Sequence, residues 1–278
     1  MNWTLFVRSL RDGWLMLVSC SLLTAAFVCL RVWIASRIKF DAFVKLFSEG
    51  LKFISNMLPV SIEDLASPLG RVGFSFEELP VVILMGLWTV ARGTDCLAGR
   101  VGSGTMEMLL AQPLRRVTLV LSHTAVTLLG AAIIAIAAWC GVGLGLRISE
   151  FDSPPTWSQF VPAAVNYFGL GVFMTGAATL VSALARTRSQ AVGIVIGIYV
   201  VELTLMIIAR LSPDLKWLEW LTILSAYEPT VLTLGIVREP ASTWPMFWQY
   251  NACLAGLGAL ALGSAAAIFC HRDVPAPL

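Results

Sequence analysis

His123 and His271 are the only histidines in the chain, and neither has a second ligand type at a metal-binding spacing. The six cysteines (Cys20, Cys29, Cys96, Cys140, Cys253, Cys270) lie in or beside apolar runs, with no C-x-x-C pair among them. They read as small buried hydrophobes. Glu77-Glu78 is a carboxylate pair with no histidine to complete a metal site. No G-x-x-x-x-G-K-[ST] loop, H-E-x-x-H helix or G-x-S-x-G elbow occurs. The glycine cluster GTDCLAGRVGSG has neither the spacing nor the lysine of a phosphate cradle. The expectation is no catalytic residue and no metal site. What remains are three ionisable groups inside or at the end of apolar runs: Glu202 in YVVELTLM, and Arg92 with Asp95.

The background of those groups is a membrane protein. The chain is 58% hydrophobic and 13% charged, with mean hydropathy +0.81. Soluble domains carry about a quarter charged residues. A net charge of +2, without a basic stripe, points away from nucleic acid. A helix crossing a bilayer needs about 20 mostly apolar residues. On that criterion six spans are predicted, over 14–35, 79–96, 117–146, 161–184, 191–208 and 247–269. The first is too long for the core of a secretory signal and is expected to be retained. No linker or repeat divides the chain, so one transmembrane domain over 1–278 is expected.

Six spans put both ends of the chain on one side. That side holds Arg8, Arg11, Arg100, Arg115, Arg116, Arg186, Arg188 and Arg272 against Asp12, Glu107 and Asp273. Arginine excess in short loops marks the cytoplasm. The opposite loops have helical texture. Phe40, Phe43, Val44, Phe47, Leu51 and Ile54 make an amphipathic face in the loop after the first span. Residues 216–237 are apolar but interrupted by Lys216, Glu219, Glu228 and Pro229, so outer-side interfacial or re-entrant helices are expected there. Residues 2–12, with Trp3, Phe6, Val7 and Leu10 on one face, predict a short interfacial helix at the N-terminus.

Within the spans, Glu202 admits two readings: a hydrogen-bonded group that fixes helix packing, or a group on a pathway. The same span carries Gly193-Ile-Val-Ile-Gly197, a small-xxx-small pattern that permits close helix approach. Helix geometry turns Glu202 about 140° from Gly197 and about 180° from Gly193. Arg92 and Asp95, three apart, have the spacing of an intrahelical pair, and the other reading is a solvated helix end.

The segment GSGTMEMLLAQPLRR, 102–116, is the least expected of the cytoplasmic loops, because its middle is apolar. Thr105 is placed to cap a helix from Met106, with Glu107 in its first turn. Met106, Leu109 and Leu110 then share a face. Pro113 ends the helix at Gln112, and Arg115 and Arg116 follow at the membrane surface. The ridge either packs beneath the chain's own spans or docks a partner.

Gly104-Thr105-Met106-Glu107-Met108-Leu109-Leu110-Ala111-Gln112-Pro113-Leu114-Arg115-Arg116 resembles the G-T-x-E-x-L-L-[AS]-x-P-[VL]-x-R signature of ABC type 2 transporter permeases, and it stands between the second and third spans as in that family. The resemblance implies an all-α permease, most simply an exporter subunit of a bacterial plasma membrane. It implies pairing with a second permease copy and with cytoplasmic ABC ATPases that hold the ATP and Mg, so that this chain binds no cofactor. It also implies a coupling helix carrying Gly104, Thr105, Met106, Glu107, Leu109, Leu110, Pro113, Arg115 and Arg116, and a dimer interface along the first and fifth spans. One departure stands out: the family's acidic residue four positions before the motif glycine is Arg100 here. The alternative is a non-transporting membrane scaffold that recruits an ATPase through the same segment.

Overall fold

A computed structural model describes residues 3–37, 60–110 and 115–271. Its described residues form helices and no strands. In chain order these are α1 (Trp3–Arg37), α2 (Ile62–Ala66), α3 (Pro68–Gly73), α4 (Leu79–Thr94), α5 (Arg100–Gly102), α6 (Thr105–Leu110), α7 (Arg116–Ile148), α8 (Val161–Leu184), α9 (Arg188–Leu211), α10 (Pro229–Arg238) and α11 (Pro240–His271). A π-helical turn, Asp95–Gly99, joins α4 to α5. Among the described residues six helical stretches are long and apolar enough to cross a membrane, at the six places the sequence predicts.

Packing follows the distribution of small residues. The buried stripe of α1 (Ser9, Gly13, Leu17, Cys20, Thr24, Val28, Val32, Ala35) repeats every three or four residues and lies along α7. Between helices in lipid there is little hydrophobic drive, so close van der Waals contact must hold them. α8 is the axis of the bundle, touching α4, α7, α10 and α11. It crosses α11 at Gly176 and Gly258, where a Cβ on Gly176 would lie 2.3 Å from the Gly258 carbonyl oxygen. Tyr167 on α8 donates from its hydroxyl to the Val81 carbonyl of α4 at 2.6 Å.

One expectation changes. Residues 3–12 are not a separate helix: they are the first turns of a continuous α1, because no glycine or proline before Gly13 breaks the pattern. Trp3 remains exposed there, stacked on Phe6. Residues 216–237 are broken as predicted, into 3-10 turns Pro213–Leu221 and Ile223–Ala226 followed by α10, with a bend of 83°. The amphipathic face over 40–54 lies outside the described residues.

The far end of the bundle is tied by polar contacts between its loops. Arg31 pairs with Glu78, Arg37 with Glu150, and Arg210 with Glu228 at 3.0 Å. Asn166 donates to the Ala226 carbonyl at 3.0 Å, and Tyr227 donates to the Phe76 carbonyl. These bonds anchor the short helices over the ends of α4 and α8.

Candidate coupling site

At the opposite end, the chain leaves α4 through the π turn and reaches α6 by a tight reversal. Gly104 makes that reversal with φ of 69°, the only positive φ among the described residues. A side chain there meets a steric cost of about 1–2 kcal/mol, which is the physical reason for glycine. The Gly104 N–H donates to the Val101 carbonyl at 3.1 Å, closing the turn. Thr105 does not cap α6 as expected. It is the helix's first residue, and its hydroxyl lies 2.9 Å from that of Ser103 and donates to the Arg100 carbonyl. Arg100 itself is half-buried, and its backbone serves the turn.

Met106 is almost wholly buried, packed with Cys96, Leu97, Leu119, Val120, Ala183, Ala265 and Phe269. It therefore anchors α6 to α7 and α11 and is not part of an open ridge. Met108, which the sequence reading passed over, is 68% exposed. The side chains of Glu107, Leu109 and Leu110, and Pro113 with its neighbours 111–114, lie outside the described residues. Arg115 is exposed. Arg116 donates to the Phe269 carbonyl at 3.1 Å and lies over the Phe269 ring. It caps the end of α11, where free carbonyls and the helix dipole attract a cation.

Above this segment is a polar cluster. Arg92 and Asp95 do not form the intrahelical pair that their spacing predicts. Arg92 turns to α1, donating to the Ser9 carbonyl at 2.8 Å and to its hydroxyl at 2.5 Å. Asp95 faces His123 of α7 at 3.9 Å and Arg188 of α9 at 4.0 Å. Arg188 also donates to the Ala91 carbonyl at 3.3 Å. Charged groups within spans pair with one another or with backbone carbonyls, and Arg92 takes a carbonyl and hydroxyl of α1. Ser182 of α8 adds two further contacts, accepting from the Ala98 N–H at 2.8 Å and donating to the Thr94 carbonyl at 2.9 Å. His123 and Ser182 are cluster members that helical periodicity gave no reason to single out.

The other intramembrane candidates are on α9. Glu202 accepts from the Ile223 N–H at 2.7 Å and so ties α9 to the 3-10 turns. It also borders an apolar cavity of about 780 Å³ between α4, α8 and α9, lined by Val82, Gly86, Leu170, Met174 and Tyr199. Gly193 and Gly197 do not pack against the described residues: a Cβ on either would meet none of them within 4 Å. Among the described residues no group of three metal-ligating side chains converges.

Six helices long and apolar enough to cross a membrane define a polytopic membrane protein. The chain belongs to the ABC-2 family transporter proteins, whose family model matches residues 6–274. It is thus a multi-pass permease of an ABC transporter, a non-catalytic component that works with an ABC ATPase. No curated protein matches it.

Proposed function

We propose that the chain is the single-domain permease of a dimeric ABC exporter in a bacterial plasma membrane, with both termini cytoplasmic. ATP and Mg bind on the partner ATPase, and this chain holds no cofactor. Closure of the ATPases pushes on residues 100–116, and the spans pass between inward- and outward-facing states. Gly104, Thr105, Glu107, Leu109, Leu110, Pro113 and Arg115 meet the ATPase in this reading, while Met106 and Arg116 brace the segment from behind. Glu202 and the cavity beside it lie on the moving face of α9. The second permease is a copy of this chain, meeting it along α1 and α9.

The observation that carries the reading is the anchoring of α6. Its buried Met106 and the Gly104 turn fix it to three spans, and its exposed Met108 faces away from the bundle. A segment held in that way passes a push to the spans. Leu109→Asp puts a charge on the proposed docking surface and is expected to abolish stimulation of the ATPase while leaving membrane insertion intact. ATPase binding and hydrolysis equal to wild type would sink the docking role. A cysteine replacing Ser103 is expected to react with impermeant maleimide only from the cytoplasmic face, and labelling from outside would overturn the orientation.

A further inference from the structure

The π turn between α4 and the coupling segment has an identifiable cause in a neighbouring helix. In a continuous α-helix the Ala98 N–H donates to the Thr94 carbonyl. Here the Ser182 hydroxyl stands between those two groups, accepting from Ala98 at 2.8 Å and donating to Thr94 at 2.9 Å. It also accepts from Leu97 N–H at 3.3 Å. A side chain inserted in the helical ladder is a recognised cause of distortion. Ser182 reaches the ladder because α8 lies unusually close to α4 one turn away: a Cβ on Gly93 would be 2.6 Å from that of Ala178. The hydroxyl is 1% exposed as a residue, so no solvent supplies the same bonds.

A π turn holds one residue more than the α-helix it interrupts, and one residue is about 100° of rotation. Everything beyond Gly99 is therefore turned by that angle relative to an unbroken α4. Met106 enters its pocket beneath α7 and α11 in this rotated phase. We infer that Ser182 is a positioning residue of the transport cycle: by holding the π turn open it sets the rotational phase in which the coupling segment is presented. The part of this that concerns the ATPase rests on the docking reading above; the phase itself does not.

The test uses the full permease with its ATPase in nanodiscs. Nitroxides are placed at Gly102→Cys, where a side chain meets nothing, and at exposed Leu144→Cys. Cys29, Cys140, Cys253 and Cys270 are replaced by serine. Ser182→Ala lets the Ala98–Thr94 bond close. A Cα atom about 2.3 Å from the axis, turned by about 100°, moves about 3.5 Å. The expected result is a shift of that order or larger in the distance distribution, with loss of stimulated ATP hydrolysis. Ser182→Thr keeps the hydroxyl and keeps both wild-type values. Deleting Gly99 in the Ser182→Ala background removes the surplus residue, restores the phase without the hydroxyl, and returns both readouts. An unchanged distance in Ser182→Ala, with or without a lower melting temperature, overturns the inference. A shifted distance with unchanged hydrolysis upholds the phase role and sinks the docking reading instead.

Discussion

α8 and α9 are each 24 residues long and adjacent in sequence, yet they occupy opposite roles in packing. α8 is buried along most of its length. α9 is as apolar as a span requires, but among the described residues only Ala191, Val195 and Ala209 of it are buried. Hydropathy does not separate the two helices, because lipid is as apolar as a protein interior. What separates them is the use of small and polar groups. Gly176 of α8 meets the backbone of α11, and the hydroxyls and amide of α8 bond to α4 and to the 3-10 turns. A Cβ on Gly193 or Gly197 of α9 would meet nothing among the described residues, and the one internal carboxylate of α9 holds a single backbone N–H.

The largest expected effect comes from filling the α8–α11 crossing. Gly176→Leu forces a side chain against the Gly258 carbonyl, and backbone has no rotamer with which to give way. Overpacking of this kind costs about 3 kcal/mol or more. The check is thermal unfolding of the detergent-solubilised permease followed by size-exclusion chromatography. A variant with wild-type melting temperature and elution would show that α8 and α11 are not held by this contact.

Smaller effects follow where α8 and α9 each lose one polar contact. Tyr167→Phe removes the hydroxyl that donates to Val81 and is expected to destabilise by about 1 kcal/mol. Glu202→Ala leaves the Ile223 N–H without its acceptor near the half-exposed 3-10 turns, where water replaces it, so a loss of at most about 0.5 kcal/mol is expected. Denaturant melts of the two variants side by side decide the ranking. A Glu202→Ala loss exceeding that of Tyr167→Phe would make α9 as integral to the monomer as α8.

Much of this was legible in the sequence, and the rest was lost for specific reasons. Six spans follow from run length, because any helix in hydrocarbon must satisfy its backbone internally. The Gly104 turn was not read from the sequence, where the glycine entered only as part of a resembling motif. The partners of Arg92 and Asp95 do not follow, because i, i+3 spacing counts only neighbours on the same helix, and Ser9, His123 and Arg188 come from three others. The role of Met106 stayed open for the same reason: helix phase gives its face but not what covers that face. The π turn is the least legible of all. One surplus residue in TVARGTDCLAG leaves no trace in composition, and its cause, Ser182, stands on another span.

The comparison is sharpest where the monomer should feel nothing. At Gly193 and Gly197 of α9 a Cβ meets none of the described residues, so Gly193→Leu with Gly197→Leu is expected to change the stability of the isolated permease by less than about 0.5 kcal/mol. Helix propensity pulls slightly in the stabilising direction, since leucine replaces glycine in a helix interior. The bulk instead falls on the surface proposed to face a second copy. Disulfide crosslinking between engineered cysteines at exposed Ile196 of the two copies is expected to be strong in the otherwise wild-type protein and lost in the double leucine variant. A melting temperature that falls with crosslinking unchanged would reverse the assignment, making α9 a packing helix of the monomer and leaving the second copy to another face. Unchanged stability with lost crosslinking would mean that small residues serve two different contacts in one chain: within the subunit on α8, and between subunits on α9.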